Sequence, residues 1–188
     1  MSEMDILLNK AKEFHGEVCA GIILGTRMTI AGMKDLGMNP QERNRYLIVY
    51  VENDRCVADA IQAITGCSLG HRTLKYLPYG KFAATFVDLK TGAAVRVSIA
   101  DKTINDRLGT IAVKDISPKA LLETPESDLF YIQRVNCTIP DDDMPGLPKH
   151  KAYCSNCNEV ILDNKVVVRD GVILCINCAG EPYYMDLV

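Results

Sequence analysis

The sequence predicts a layered domain of α-helices and β-strands, of the α+β or α/β class, followed by a small cysteine-rich domain. Three observations lead to this prediction. Segments with helical periodicity precede and separate β-prone runs in the first 140 residues, a stretch rich in proline and aspartate follows them, and two Cys-x-x-Cys pairs lie near the end of the chain. We therefore expect a core domain at residues 1–140, a linker at residues 141–150 and a second domain at residues 151–188.

The composition is that of an ordinary globular protein. Of the 188 residues, 48% are hydrophobic and 24% are charged, and the formal net charge of −3 argues against a generally basic, nucleic-acid-binding surface. The chain does not open with a signal-peptide pattern, and no apolar run approaches the roughly 18 residues that a membrane helix needs. We expect a cytoplasmic protein that does not associate with membranes. In that reducing compartment, eight cysteines indicate metal or redox chemistry rather than structural disulfides.

Four segments are predicted to be helical. The first combines a capping-box-like start, Ser2 followed by Asp5, with apolar residues at helical spacing and Gly16 at its end. The second is rich in small residues, which favours close helix packing, and it ends before Gly37 and Pro40. The predicted helices span residues 2–16, 19–35, 55–65 and 117–123.

Four further segments are predicted to be strands. The first is continuously apolar, as expected for a strand that is buried on both faces. The second and third are joined by Lys90-Thr91-Gly92, which is a turn signal. The predicted strands span residues 46–51, 81–88, 93–99 and 129–138, whereas residues 104–113 fit neither a helix nor a strand clearly.

The C-terminal domain carries a four-cysteine pattern. Cys154 and Cys157 form one Cys-x-x-Cys pair, Cys175 and Cys178 form the other, and 17 residues separate the two pairs. This spacing is typical of a structural zinc site, in which four thiolates complete a tetrahedral shell and leave no open position. A shell of four sulfurs also suits iron, so an iron–sulfur site is the alternative.

The residues between the two cysteine pairs predict a β-hairpin. Two β-prone runs, at residues 165–168 and 172–174, flank Asp170 and Gly171, and Asp-Gly is a good hairpin turn. Two cysteine turns and a short hairpin make a zinc ribbon. So small a domain cannot bury enough apolar surface to fold alone, and we expect its folding to depend on the metal.

A second group of metal-binding residue types occurs in the core domain. His15 and Cys19 flank the predicted turn between the first two helices, Cys56 lies at the start of the third helix, and Cys67 follows its end. The helix dipole favours the thiolate form of a cysteine at a helix N-terminus. The histidine and the three cysteines are therefore candidates for one metal or redox site. The alternative is that these cysteines only pack in the core, as most buried free cysteines do.

Several of these segments together resemble a known protein family, the FmdE family of formylmethanofuran dehydrogenase accessory proteins. The family's opening motif, His-Gly-His-x-Cys-Pro-Gly…Gly-x-Arg, is similar to residues 14–21 (FHGEVCAG) with Gly25 and Arg27 after them. Residues 52–62 resemble its central motif, residues 65–70 its glycine–cysteine turn, and residues 80–83 its next strand. Many members also carry a C-terminal zinc ribbon, so the resemblance covers nearly the whole chain.

The resemblance implies a thioredoxin-like α+β core, in which helices flank a mixed sheet, and it implies a homodimer. It further implies that His15 and Cys19, with Cys56 and Cys67, are the ligands of a second metal ion in the core, and a mixed His/Cys shell suits zinc. Two positions depart from the family motif, because Ala20 stands at the place of its proline and Glu17 at the place of its second histidine. Glu17 either replaces that histidine as an oxygen ligand or leaves the site one ligand short.

The hypothesis that we favour is a metal-binding accessory protein of the FmdE type. Its implied partners are the molybdenum or tungsten dehydrogenase subunits that carry the redox cofactors. The proline-rich linker also allows the two chains of a homodimer to exchange their ribbons. The sequence does not decide whether the chain is an enzyme or a non-catalytic component of one.

Two other functions are alternatives to the accessory-protein hypothesis. One is a stand-alone metalloenzyme or redox protein that uses His15, Cys19 and Cys56, although the core has no Cys-x-x-Cys pair for a thioredoxin-like reaction. The other is a nucleic-acid-binding regulator that acts through the ribbon. It is the weaker one, because five acidic residues offset the four basic residues of this region. The basic residues are Lys149, Lys151, Lys165 and Arg169, and the acidic ones are Glu159, Asp163, Asp170, Glu181 and Asp186.

Overall fold

The computed structural model describes residues 1–100, 104, 106, 116–180 and 182–184. Most of the stretch 104–113, for which the sequence favours no element, lies outside these residues, and so do Glu181 and Asp186 of the acidic set. The chain divides into two compact units, Met1–Thr138 and Ile139–Val188. Within the described residues, no helix combines the length and the apolar character that crossing a bilayer requires.

Five helices belong to the first unit as described. They are α1 (Glu3–His15), α2 (Ala20–Asp35), α3 (Cys56–Thr65), α4 (Pro118–Glu123) and α5 (Glu126–Leu129). The predicted start and end of α1 are confirmed. The Ser2 hydroxyl accepts a hydrogen bond from the Asp5 amide, the Asp5 carboxylate accepts one from the Ser2 amide, and Gly16 ends the helix at φ 99°.

A five-stranded mixed sheet forms the centre of this unit. Its strands are β1 (Leu47–Val51), β2 (Leu74–Tyr76), β3 (Ala83–Asp88), β4 (Ala94–Ile99) and β5 (Phe130–Val135). They lie in the order β2-β1-β3-β4-β5, with β1 and β2 parallel and all other pairs antiparallel. The predicted α+β fold with a mixed sheet and flanking helices is confirmed. Strand β2 is an addition to the prediction.

Glycines let α2 pack closely against its neighbours. A side-chain carbon at Gly25 would lie 2.8 Å from the Ala60 Cβ of α3 and 3.0 Å from the Val57 Cα. At Gly32 such a carbon would lie 2.3 Å from the ring of Phe86 on β3. The small residues of the second helix thus act as predicted. The close contact between α2 and α3 brings the N-termini of the two helices together.

The second unit contains two short hairpins. Strands β6 (Lys151–Tyr153) and β7 (Val160–Leu162) form one, and β8 (Val167–Arg169) and β9 (Val172–Leu174) form the other. The second hairpin matches the predicted one, and Asp170 and Gly171 turn it with positive φ angles of 48° and 78°. The sequence did not predict the first hairpin.

The segment predicted as a linker contains one turn of 3₁₀ helix. This turn spans Asp141–Asp143, and Pro140 is its N-cap residue. The Asp142 carboxylate also lies 3.1 Å from the Nε2 atom of His150. A single turn needs only one or two backbone hydrogen bonds, so an aspartate run between prolines can form it although it cannot extend a longer helix.

Candidate metal centres

Three of the predicted core ligands meet in one cluster. The donor atoms of His15, Cys19 and Cys56 all lie within 4.8 Å of one another, and the Cys19 sulfur is 4.0 Å from the His15 Nε2. His15 is the last residue of α1, Cys19 is the N-cap residue of α2, and Cys56 is the first residue of α3. The cluster therefore forms where three helix ends converge.

The His15 ring is oriented by a residue that the sequence analysis did not single out. The Nδ1 atom of His15 lies 2.8 Å from a carboxylate oxygen of Asp59. Because an ionised carboxylate only accepts hydrogen bonds, Nδ1 is the donor to Asp59, and in the neutral imidazole Nε2 then presents its lone pair toward Cys19. A signal for Asp59 did exist, since it follows Cys56 by three residues and therefore lies on the same face of α3.

The two thiols of the cluster are crowded and partly buried. The Cys19 sulfur accepts a hydrogen bond from the Ile22 amide at 3.4 Å, as expected for an N-cap residue. Burial raises the pKa of Cys56 to about 11, and the neighbouring Cys19 sulfur adds to this rise. Two thiolates this close repel each other, and a bound cation removes that cost.

Because Gly21 has no side chain, there is room for the cluster beside it. A side-chain carbon at this position would lie 2.9 Å from the Cys56 Cβ, 3.2 Å from the Cys56 sulfur and 3.7 Å from the Cys19 sulfur. One imidazole nitrogen and two thiolates are donors that zinc accepts. The donor set and the space around it thus fit a divalent metal ion such as zinc.

Two other residues considered for this site are not among the grouped donors of the cluster. Cys67, predicted as a ligand, is 3% exposed in the hydrophobic core, where its thiol donates a hydrogen bond to the Leu47 carbonyl at 3.5 Å. Burial raises the pKa of this thiol, which favours the neutral form. Glu17 is exposed, and its carboxylate is not among the grouped donor atoms. The structure therefore assembles three of the four predicted core ligands.

The cluster lies in the wall of a cleft with a volume of about 1220 Å³. His15, Cys19, Gly21 and Cys56 form one part of this wall. The charged and polar side chains of the remaining described lining are Glu17, Asn53, Asp54, Arg55, Lys81, Arg96 and Ser98. An ion held by two sulfurs and one nitrogen would have an open coordination position, and a ligand in the cleft is able to reach it.

The second unit brings all four predicted ribbon cysteines together. The sulfurs of Cys154, Cys157, Cys175 and Cys178 lie within 4.8 Å of one another. The Cys175 amide donates a hydrogen bond to the Cys154 sulfur at 3.3 Å, and the Cys178 amide donates one to the Cys175 sulfur at 3.3 Å. Amide hydrogen bonds of this kind stabilise thiolates, which are the metal-binding form.

The pKa values of the ribbon cysteines also fit a cation. Backbone hydrogen bonds from Cys157 and Cys175 lower the pKa of Cys154 to about 6. At Cys157 a backbone hydrogen bond from Glu159 acts to lower the pKa. Desolvation and the three neighbouring sulfurs outweigh it and raise the pKa to about 12. Without a cation the four sulfurs cannot all ionise, whereas a divalent ion stabilises four thiolates in one tetrahedral shell.

Comparisons with known proteins agree with this description. Residues 150–184 match the prokaryotic dksA/traR C4-type zinc finger, which indicates zinc as the ribbon metal. The crystal structure of a tungsten formylmethanofuran dehydrogenase FmdE-like protein from Syntrophus aciditrophicus has the same fold. It aligns with a TM-score of 0.63 at 22% identity, over 97% of this chain and 95% of that one.

A curated relative from Archaeoglobus fulgidus bears the name "Probable S-adenosyl-L-methionine-binding protein". It is 29% identical over 97% of this chain, and the chain spans only 55% of that relative's length. Residues 14–134, which include His15, Cys19, Cys56 and Asp59, match the family described as FmdE, molybdenum formylmethanofuran dehydrogenase operon. This protein, a metal-binding chain with a C-terminal four-cysteine cluster, therefore belongs to the FmdE family.

Proposed function

We propose that this protein binds two metal ions and that the core ion, not the ribbon ion, is its functional centre. The observation that carries the proposal is the cluster of His15, Cys19 and Cys56 in the wall of the cleft, with donor atoms within 4.8 Å of one another. The ribbon has four sulfur ligands, which complete a tetrahedral shell and leave no position for a substrate. The core cluster has three, which is the number that ligand-binding zinc sites use.

The residues around the core cluster have separate tasks in this proposal. Asp59 holds the His15 ring so that Nε2 faces the site. The N-terminal ends of α2 and α3 stabilise the thiolates of Cys19 and Cys56. Gly21 leaves room for the ion. A bound zinc ion would supply Lewis-acid chemistry at its open position, and the cleft would hold the ligand beside it.

Elemental analysis of purified variants tests the proposal. We expect the wild type to contain one metal ion for each of the two ligand groups. The Cys154→Ser/Cys157→Ser variant should lose only the ribbon metal, and the His15→Ala/Cys19→Ser variant only the core metal. Cys137→Ser is the matched control, because Cys137 belongs to neither group and should retain both ions. A core variant with the full wild-type metal content would show that His15 and Cys19 only pack.

In its wider role, we propose that the protein accompanies a molybdenum or tungsten formylmethanofuran dehydrogenase. The support is the family's description, which names the operon of that enzyme, together with a core site that has no redox cofactor motif of its own. Co-elution with the dehydrogenase subunits of the same organism in size-exclusion chromatography is the expected result. A chain that elutes alone in their presence would argue for an independent role.

A second candidate function is the binding of S-adenosyl-L-methionine in the same cleft. It is favoured by the similarity to the Archaeoglobus fulgidus protein of that name along nearly the whole chain, and by a cleft large enough for such a ligand. Equilibrium dialysis of the metal-loaded protein against S-adenosyl-L-methionine tests it, with adenosine as the comparison ligand. No retention of S-adenosyl-L-methionine above that of adenosine would remove this candidate.

A further inference from the structure

Two consecutive buried polar residues follow β1 and organise the charged part of the cleft. The first is Glu52, which is 5% exposed. Its two carboxylate oxygens accept hydrogen bonds from Nε and Nη2 of Arg96 on β4, at 2.6 and 2.8 Å. This bidentate pairing fixes the guanidinium plane and leaves its other N–H groups unused by Glu52. Arg96 itself lines the cleft and is partly exposed to it.

The second buried residue, Asn53, connects the two loops that carry the other cations of the cleft. Its amide nitrogen donates a hydrogen bond to the Lys81 carbonyl at 2.6 Å, and its amide oxygen accepts one from the Arg55 backbone amide at 3.0 Å. Asn53 is 6% exposed, so water competes little for these bonds. The backbone positions of Arg55 and Lys81 are therefore fixed relative to each other.

The three cations stand in the same cleft as the core metal cluster. Arg55, Lys81 and Arg96 line it together with Ser98, which lies on the same face of β4 as Arg96. The acidic side chains of the described lining, Glu17 and Asp54, are exposed, as are Arg55 and Lys81, and the three cations outnumber these two acids. The α2 and α3 N-termini, which open onto the same cleft, add the positive ends of two helix dipoles.

Stability alone gives little reason to bury Glu52. A buried ion pair rarely stabilises a fold more than apolar residues of the same size would, because desolvation offsets the attraction between the charges. Retaining Glu52 makes sense if a defined orientation of Arg96 is needed. Guanidinium N–H groups held in one plane are well suited to bind the oxygens of a carboxylate or phosphate.

We propose that the cleft binds a small oxyanion ligand, a carboxylate or a phosphate, through Arg55, Lys81 and Arg96. This inference depends on the proposed function in one respect, which is that the open coordination position of the core metal lies in the same cleft. The three cations and the residues that fix them belong to the chain itself. Anion binding is therefore measurable with and without the core metal.

Isothermal titration calorimetry of the zinc-loaded protein tests the proposal, with succinate as the carboxylate probe and inorganic phosphate as the other. The test variant is Arg55→Gln/Lys81→Gln. The charge-matched control is Lys10→Gln/Lys90→Gln, which removes two exposed cations outside the cleft lining. We expect the test variant to bind its preferred anion about tenfold more weakly than the wild type, because two charged contacts are lost, and the control to be unchanged.

Two further comparisons complete the test. One is between succinate and phosphate, and the other is between the metal-site variant and the cation variant. Tighter binding of succinate identifies a carboxylate ligand, tighter binding of phosphate a phosphorylated one, and either supports the proposal. Anion binding that persists in His15→Ala/Cys19→Ser but fails in Arg55→Gln/Lys81→Gln supports the anion site even if the core metal proposal fails. Equal affinities of the wild type and the test variant, or no binding of either anion, would overturn it.

Discussion

Asp59 shows how one side chain can decide the chemistry of its neighbour. Its carboxylate accepts a hydrogen bond from Nδ1 of His15, and this bond sets both the tautomer of the neutral ring and the ring orientation. Carboxylates that orient a metal-binding histidine in this way also increase the basicity of the nitrogen that binds the metal. In the core metal site that we propose, three ligands and one orienting residue therefore act together.

Replacing Asp59 should weaken the core site without affecting the ribbon. We expect Asp59→Ala to lower the affinity of the core for zinc by about 10–100-fold, the usual effect of losing such an orienting residue. Asp59→Asn, which retains a hydrogen-bond acceptor, should fall between Ala and the wild type. Competition with a zinc chelator measures the affinity, and Glu123→Gln on the exposed face of α4 is the control. A core affinity that Asp59→Ala leaves unchanged would show that the histidine is oriented by packing alone.

The thiols of the ribbon predict how proton release on zinc binding depends on pH. The backbone hydrogen bonds that lower the pKa of Cys154 to about 6 exist only in the folded ribbon. In the metal-free, unfolded ribbon all four thiols have an ordinary pKa of about 8.5, so each one is protonated at pH 7.4 and loses its proton when zinc binds. We therefore expect about four protons to be released for each zinc ion bound.

Calorimetric zinc titrations in buffers of different ionisation enthalpy measure this number. The full-length Cys19→Ser chain restricts the experiment to the ribbon, and pH 7.4 and pH 5.5 are suitable conditions. We expect about four released protons at both pH values and a lower affinity for zinc at pH 5.5, because protons compete for the thiolates. Release of about three protons at pH 7.4 and four at pH 5.5 would show that Cys154 is a thiolate without metal, and hence that the metal-free ribbon stays folded.

Local sequence was sufficient for some ligands and insufficient for others. His15 and Cys19 are close in sequence and on either side of a turn, so their proximity could be predicted. Cys56 begins α3 and Cys67 follows its end, and because this helix of 10 residues is about 15 Å long, the two cysteines cannot share one small site. Which of them joins His15 and Cys19 depends on which end of α3 meets α2, and tertiary packing decides this.

At the scale of elements, strong local signals were predicted well and weak ones were not. The capping box of α1, the glycine that ends α3 and the proline at the start of α4 act within one turn, so the sequence alone reveals them. Strands of three residues, such as β2, β6 and β7, carry no measurable periodicity. They are strands only because a neighbouring strand supplies their hydrogen bonds.

The packing of α2 on the sheet gives a prediction at this scale. Gly32→Ala would place a methyl group 2.3 Å from the Phe86 ring, and Phe86 is fully buried and unable to move far. We expect a loss of about 1–3 kcal/mol in the free energy of unfolding, typical of an overpacked core. Urea denaturation measures it. Gly70→Ala is the control, because a side-chain carbon at Gly70 meets nothing within 4 Å and should leave stability nearly unchanged.

At the scale of the whole molecule, the two units have different sources of stability. The first unit buries a large apolar cluster around α2, β1 and β3. In the second unit the buried hydrophobic residues of the described chain are only Cys154, Ile161 and Ala179. An apolar core of that size cannot offset the entropy lost on folding, so the ribbon depends on its metal.

Removing zinc should therefore unfold the ribbon and leave the first unit folded. In a two-dimensional amide NMR spectrum, we expect excess chelator to collapse the signals of residues 150–184 toward random-coil positions. The signals of β1, β3 and β4 should remain dispersed, and added zinc should restore the others. A spectrum that loses dispersion everywhere would mean that the fold of the first unit also requires metal.

The spacing of the ligands along the chain has a consequence for the order in which the two sites mature. The ribbon ligands lie within residues 154–178, so a partly folded or newly made chain can capture an ion with them early. The core ligands, at residues 15, 19 and 56, belong to three helix ends that meet only after α1, α2 and α3 have packed. In a chain that binds zinc at both groups, as we propose, a limited zinc supply should fill the ribbon first, and the core should load only when zinc exceeds the amount that the ribbon takes up.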